Sequence, residues 1–346
     1  MIKNFLFLFF ITFSLQALES IRCYYPVGTI GSDLLFLDQQ SLQSLHLWKY
    51  SPQACTSDQA LLFIYSPSAI SVLPSENGFS FVDRGMIRVK KFLKRSPQTI
   101  GFFDPIYNIT RVGWLDDETC YFSAKQDERY KIFISDLDGE LTTVADQPDA
   151  DLIYPSLIND SLYYLKKGIR EDIALCRIEI NEYLPQTLVS LGKKNASFLQ
   201  MISDFEGFFV ETPFSIDSES ENLSLRYNHL FFKDGSWGIE TLFSFTIPMH
   251  YLFGRGPERF YESLLPFVPK VYDNEILFSS LTNKYLDIYS FDRTEKEIAL
   301  LLSNTVETDR FSAMRHQGKI YYGSVVRGDT DFDELPVFQG YNRRVS

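Results

Sequence analysis

The chain has 346 residues, of which 16% are aromatic and 23% charged, and it carries a formal net charge of −12 at pH 7. A surface this acidic repels phosphate groups, which argues against nucleic acid, and equally against an anionic bilayer, as the main partner. Four cysteines are too few to hold a chain of this length as a disulfide scaffold.

The first segment reads MIKNFLFLFFITFSLQALES. Lys3 precedes an apolar run from Phe5 to Phe13, and Ser14, Gln16 and Ala17 follow, which is the charged, apolar, small-residue order of a secretory signal peptide. The run is shorter than the roughly 20 residues of a membrane-spanning helix. A signal over residues 1–17, cleaved between 17 and 20, is expected; an uncleaved N-terminal anchor is the alternative. Ser20, Ile21 and Arg22 do not make a lipid-attachment box ahead of Cys23. The mature chain is expected to be periplasmic or secreted, monomeric and without a further membrane span. In an oxidising compartment Cys23 and Cys55 are the candidate disulfide pair, with buried thiols as the alternative. Sequons stand at Asn108, Asn159, Asn195 and Asn222.

Beyond the signal, short alternating aromatic runs are separated by Asp, Asn, Gly and Ser, a strand-and-turn pattern. The clearest unit, Arg111 to Asp146, divides into four strands at Ile109–Trp114, Thr119–Ala124, Lys131–Asp136 and Leu141–Ala145, with an Asp138-Gly139 turn suited to φ > 0. Second strands recur near Leu35, Ser80, Tyr121, Tyr163, Phe208, Leu277 and Tyr321, at intervals of 45, 41, 42, 45, 69 and 44 residues. A period in the low forties with four strands per unit is that of a β-propeller blade. The expectation is therefore an all-β single domain over residues 21–346, a β-propeller of seven four-stranded blades, with six blades as the alternative. An irregular β-sandwich or two small β-domains is the competing fold. Third strands include LHLWKY at residue 45 and ELPVFQ at residue 334. The seventh unit lacks a fourth strand, and the spare segment Ile21–Tyr25 is expected to supply it, closing the ring by pairing the two termini.

The long interval holds an insertion at residues 246–267, within which PERFYESLL, from Pro257, suits a short helix. A long insertion among short loops is a binding loop or a surface ornament. Tyr251, Phe253, Arg255, Arg259 and Tyr261 are the candidate partner-binding residues, because aromatics and Arg dominate interface energies. Tyr251 and Phe253 packing the insertion onto the ring is the structural alternative.

Pro155-Ser156-Leu-Ile-Asn-Asp-Ser-Leu-Tyr-Tyr, and Gly113-Trp114-Leu-Asp-Asp-Glu followed by Lys131-Ile-Phe-Ile-Ser-Asp-Leu-Asp-Gly139, resemble the repeats of TolB-type (WD40-like) propellers. The resemblance is best over residues 111–139 and weaker over 155–179 and 272–292. It implies a periplasmic propeller whose central face binds peptide-like or protein partners. Two departures stand against it: there is no room for that family's N-terminal α/β domain, and seven repeats are counted where the family has six blades.

The four histidines, His46, His229, His250 and His316, form no metal-ligand spacing, and no nucleophile elbow or phosphate-cradling loop is present. No catalytic residue, metal or cofactor is expected. The function expected is a protein- or peptide-binding scaffold in the cell envelope. Its rival is a carbohydrate-active enzyme with channel-facing carboxylates, for which Asp104, Asp116, Asp117 and Glu118 are the candidate acids.

Overall fold

The computed structural model describes residues 23–326 apart from 40–44, 55, 64–67, 84–85, 93–96, 101–108, 169–171, 215–219, 250, 252–263, 283 and 304–307. The signal segment, Cys55, Asp104, His250, the ELPVFQ strand and the helix expected from Pro257 lie outside the described residues, as does the side chain of Cys23.

Four strands, β1 (Cys23–Ile30), β2 (Asp33–Gln39), β3 (Leu45–Ser51) and β4 (Thr56–Phe63), form the first antiparallel meander. The same unit repeats as β5 (Ser68–Val72), β6 (Gly78–Asp83), β7 (Met86–Lys91) and β8 (Gln98–Ile100), then as β9 (Ile109–Trp114), β10 (Thr119–Gln126), β11 (Arg129–Asp136) and β12 (Leu141–Ala145). The fourth comprises β13 (Ala150–Ile158), β14 (Ser161–Gly168), β15 (Asp172–Glu179) and β16 (Pro185–Lys193). The fifth comprises β17 (Asn195–Ser203), β18 (Glu206–Thr212), β19 (Asn222–Lys233) and β20 (Ser236–Pro248). After a 3₁₀ turn at Leu265–Phe267 come β21 (Lys270–Val271), β22 (Glu275–Thr282), β23 (Tyr285–Asp292) and β24 (Glu297–Leu302), and last the hairpin of β25 (Thr308–His316) and β26 (Lys319–Val326).

The fold is a β-propeller, and among the described residues the strands make six sheets rather than seven. All seven second strands read from the sequence are present, on β2, β6, β10, β14, β18, β22 and β26. The count falls to six because the last hairpin joins the first meander in one six-stranded sheet, ordered β25-β26-β1-β2-β3-β4. Of the segment expected as a spare outer strand, residues 23–25 instead begin β1, which pairs with β2 along its length and with β26 at Tyr24 and Ser324. The N-terminal and C-terminal strands thus pair as expected, but inside a shared sheet.

By compactness the chain divides into two units, Pro67–His250 and the combination of Met1–Ser66 with Tyr251–Ser346. Within Pro67–His250, neighbouring sheets pack face to face, which explains why second strands are apolar at nearly every position instead of alternating. On β10, Cys120, Phe122 and Ala124 face a core shared with Val82, Ile87 and Val89 of the preceding sheet, whereas Tyr121 faces one shared with Leu162 and Tyr164 of the following sheet. On β14, Tyr163 and Leu165 turn the other way and join Phe209 and Leu230 of the next sheet.

Gly113 is set by close approach. It pairs with Tyr121, whose ring occupies the space that a Cβ would need. The Tyr121 hydroxyl then accepts the N–H of Leu157 at 3.2 Å, tying two sheets together. A second tie is buried: Trp114 Nε1 donates to Ser80 Oγ at 2.9 Å. Ser80→Ala leaves the indole N–H without its acceptor and is expected to lower the unfolding free energy by about 1–3 kcal/mol. The readout is a reduced urea midpoint at constant m-value; an unchanged midpoint would show that the bond contributes nothing.

No helix among the described residues is long and apolar enough to cross a membrane.

Candidate functional site

The strands β9, β13 and β17, each the first of its meander, lie at sheet edges, so their outward N–H and C=O groups have no ladder partner. Side chains from neighbouring sheets fill part of that need. Thr110 Oγ1 on β9 accepts the N–H of Tyr154 on β13 at 3.4 Å, and Ser156 Oγ on β13 accepts the N–H of Met201 on β17 at 3.1 Å. Ser123 Oγ on β10 donates to the Leu152 carbonyl at 2.6 Å. The strands cooperate by bulging. Pairing of β13 skips from Ile153 to Ser156 and that of β17 from Ser197 to Gln200, with Tyr154 (φ 55) and Phe198 (φ 55) in the left-handed region. Their rings meet at 5.3 Å.

Arg111 crosses this set of edges. From β9 its Nη1 donates to the carbonyl of Leu199 in the β17 bulge at 2.5 Å, passing the intervening first strand β13. Arg111 is half-buried, and among the described residues it makes no ion pair and no further hydrogen bond. A guanidinium has five N–H donors in a planar fork, so the remaining donors stand available to an acceptor beside three open strand edges. A carboxylate matches that fork in shape and charge. This residue was passed over in the sequence reading. Its signal was a single charged side chain, between Thr110 and Val112, in the first strand Ile109–Trp114.

Of the insertion residues, Tyr251 is described; Phe253, Arg255, Arg259 and Tyr261 lie outside the described residues. Tyr251 is half-buried, with its ring 5.7 Å from Phe267 and 6.1 Å from Phe311. Its hydroxyl donates to Oδ2 of Asp309 at 2.5 Å, and Oδ1 of that fully buried carboxylate accepts the N–H of Leu286 at 2.7 Å. This pairing holds the start of the insertion against the β25 sheet.

Two of the candidate acids, Asp116 and Asp117, serve turns. Asp116 Oδ1 accepts the N–H groups of Glu118 at 2.7 Å and Thr119 at 2.8 Å, and Asp117 Oδ1 accepts that of Ser75 at 2.8 Å. Hydrogen bonds from Ser75 hold the Asp117 carboxyl below the usual carboxylate range. His229 lies on β19 with Nε2 at 2.8 Å from Glu206 Oε1, stacked on Phe208. His316 Nε2 contacts the Ser32 carbonyl at 2.9 Å. No group of three or more His, Cys, Asp or Glu side chains suited to a metal occurs among the described residues. Cys120 and Cys176 are buried free thiols, and burial pushes the Cys120 thiol up to about 12 and Cys176 upward as well.

Neither a family model nor a curated protein matches the sequence. Solved structures do match. An oligogalacturonate lyase in complex with manganese is 9% identical over 87% of each chain, with a TM-score of 0.56. A hypothetical selenium-binding protein from Sulfolobus tokodaii is 13% identical over 88% of this chain and 82% of that one, with a TM-score of 0.52. TolB from Acinetobacter baumannii is 9% identical over 84% and 78%, with a TM-score of 0.42. TolB propellers are thus among the structures this chain is similar to, and the likeness is one of fold.

Tyr251→Phe removes a donor from a buried carboxylate and is expected to cost about 1.5–3 kcal/mol, read as a lower urea midpoint. An unaltered midpoint would show that the Tyr251–Asp309 contact does not hold the insertion. In a C23S/C55S variant at about pH 8, the two buried thiols remain protonated and are expected to resist Ellman's reagent until denaturant is added. Rapid native reaction would contradict their burial.

Proposed function

We propose that this chain is an exported propeller that binds a peptide segment of a partner protein in the cell envelope. The observation carrying this reading is the Arg111 fork, whose free donors lie beside the open edges of β9, β13 and β17. An extended peptide pairs with strand edges through its main chain, and an acidic side chain or terminal carboxylate completes the guanidinium. The insertion supplies a second contact through Tyr251, Phe253, Arg255, Arg259 and Tyr261. The pinning of Tyr251 favours this reading, since an anchored loop loses less entropy on binding. An N-terminal signal peptide accounts for export, and the chain acts as a monomer without a cofactor.

The second reading, a carbohydrate-active enzyme, draws on the likeness to the oligogalacturonate lyase, which extends to fold alone. Against it, Asp116 and Asp117 are engaged in turns within and between sheets.

Affinity capture from an envelope fraction tests the proposal. Arg111→Gln and a deletion of residues 252–263 are each expected to reduce recovery of the partner by about tenfold or more, the scale of an interface hot spot. Arg111→Lys, which keeps the charge but loses the fork, is expected to fall between. Recovery of an identical protein set by all variants would overturn both site assignments. Product release from oligogalacturonate by the wild-type protein would favour the enzyme.

A further inference from the structure

A second surface lies at the turn end of the β17–β20 sheet. Phe205, in the turn between β17 and β18, is 61% exposed; Phe232, at the end of β19, is 39% exposed; Ile202 is 38% exposed. Trp237, opening β20, packs partly against the core that contains Met201, Phe209 and Leu230. The rings are contiguous. Phe205 and Phe232 meet at 5.7 Å and 34°, and Phe232 and Trp237 at 5.7 Å and 62°.

This cluster is held rigidly. The Phe232 N–H donates to the Phe205 carbonyl at 2.8 Å, locking the two turns together. The β19–β20 turn takes left-handed Asp234 (φ 53) and Gly235 (φ 81), the pair that a tight two-residue hairpin requires. The exposed rings of Phe205 and Phe232 add little to the core of this sheet, and exposed contiguous apolar area of this kind marks an interaction surface.

Charge identifies the occupant. Asp204 and Glu206 flank Phe205, and Asp234 and Glu240 lie on the hairpin beside Lys233; Arg177, over the Tyr163 ring at 5.9 Å, is itself paired with Glu179. The Asp204 carboxylate is fixed in place, accepting from the Tyr163 hydroxyl at 2.8 Å and from Asn159 Nδ2 at 2.9 Å. The Glu206 carboxylate lies 2.8 Å from His229. Aromatic faces with an acidic rim match an arginine, whose planar guanidinium stacks on rings while its N–H groups reach carboxylates. We infer that the Phe205–Phe232–Trp237 cluster docks an arginine-bearing peptide segment of a partner protein, independently of Arg111.

The probe is a fluorescein-labelled acetyl-Ala-Arg-Ala-Arg-Ala-amide, compared by anisotropy with the same peptide carrying neutral citrulline in place of arginine. The arginine peptide is expected to bind about fivefold more tightly, the scale of a surface cation–π contact, and more weakly as salt rises. Phe205→Ala/Phe232→Ala and Asp234→Asn are each expected to erase the preference. Phe205→Ala alone alters only a largely exposed ring, so it tests the site if the double variant does not fold. Equal binding of the two peptides, no binding of either, or a preference that survives Phe205→Ala would overturn the inference. So would sedimentation showing a dimer that Phe205→Ala disperses, because the occupant would then be a second copy. Arg111→Gln is expected to leave the preference intact, which separates this surface from the Arg111 site.

Discussion

An unpaired strand edge is the constraint around which this structure is arranged. In five of the six sheets that the described strands form, the first strand of the meander lies on such an edge, and a backbone N–H or carbonyl left there without a partner costs as much as a lost hydrogen bond. Short polar side chains reaching across from neighbouring sheets meet the need: Thr110 to Tyr154, Ser156 to Met201 and Ser123 to Leu152, while inside the six-stranded sheet Ser312 Oγ donates to the Pro26 carbonyl at 2.9 Å. The left-handed bulge residues Tyr154, Phe198 and Ser312 release the backbone from its ladder where these bonds form. The result is sheets stitched by hydroxyls as well as packed by aromatic rings. Arg111 belongs to the same system but brings more donors than Leu199 uses, and that surplus is what makes the edge chemically distinctive.

Much of this was legible in the sequence because the signals were local. The strands Ile109–Trp114 and Leu141–Ala145 were placed to the residue, since turn chemistry bounds them on both sides. The second strands stood out because burial on both faces makes them apolar throughout, as in Cys120–Ala124. The number of blades was not legible. It depends on where β26 finds its partner, and a single paired position between Tyr24 and Ser324 leaves no local pattern. Asp116 caps the turn it stands in, a local contact, whereas Asp117 reaches the N–H of Ser75 42 residues away and leaves no local pattern.

The candidate sites were harder for the same physical reason. Arg111 meets a carbonyl 88 residues away, and Tyr251 a carboxylate 58 residues away, so neither contact writes a periodicity into the chain. The exposed Phe205 and Phe232 were hidden differently. In the runs that hold them, Phe208, Phe209 and Leu230 are buried, and composition alone does not distinguish an aromatic residue that packs from one that waits for a partner.

The pinning of the insertion also bears on how the protein can diversify. Tyr251 and Phe267 bracket the segment 252–263, yet their rings lie 5.7 Å apart, and both rest on Phe311. Because the two ends already meet, the length between them is nearly free to change: doubling a closed loop costs only about 0.6 kcal/mol in closure entropy. The bracket therefore works as a cassette mount, in which one segment can be exchanged for another of different length or composition while the sheets that carry it keep their register.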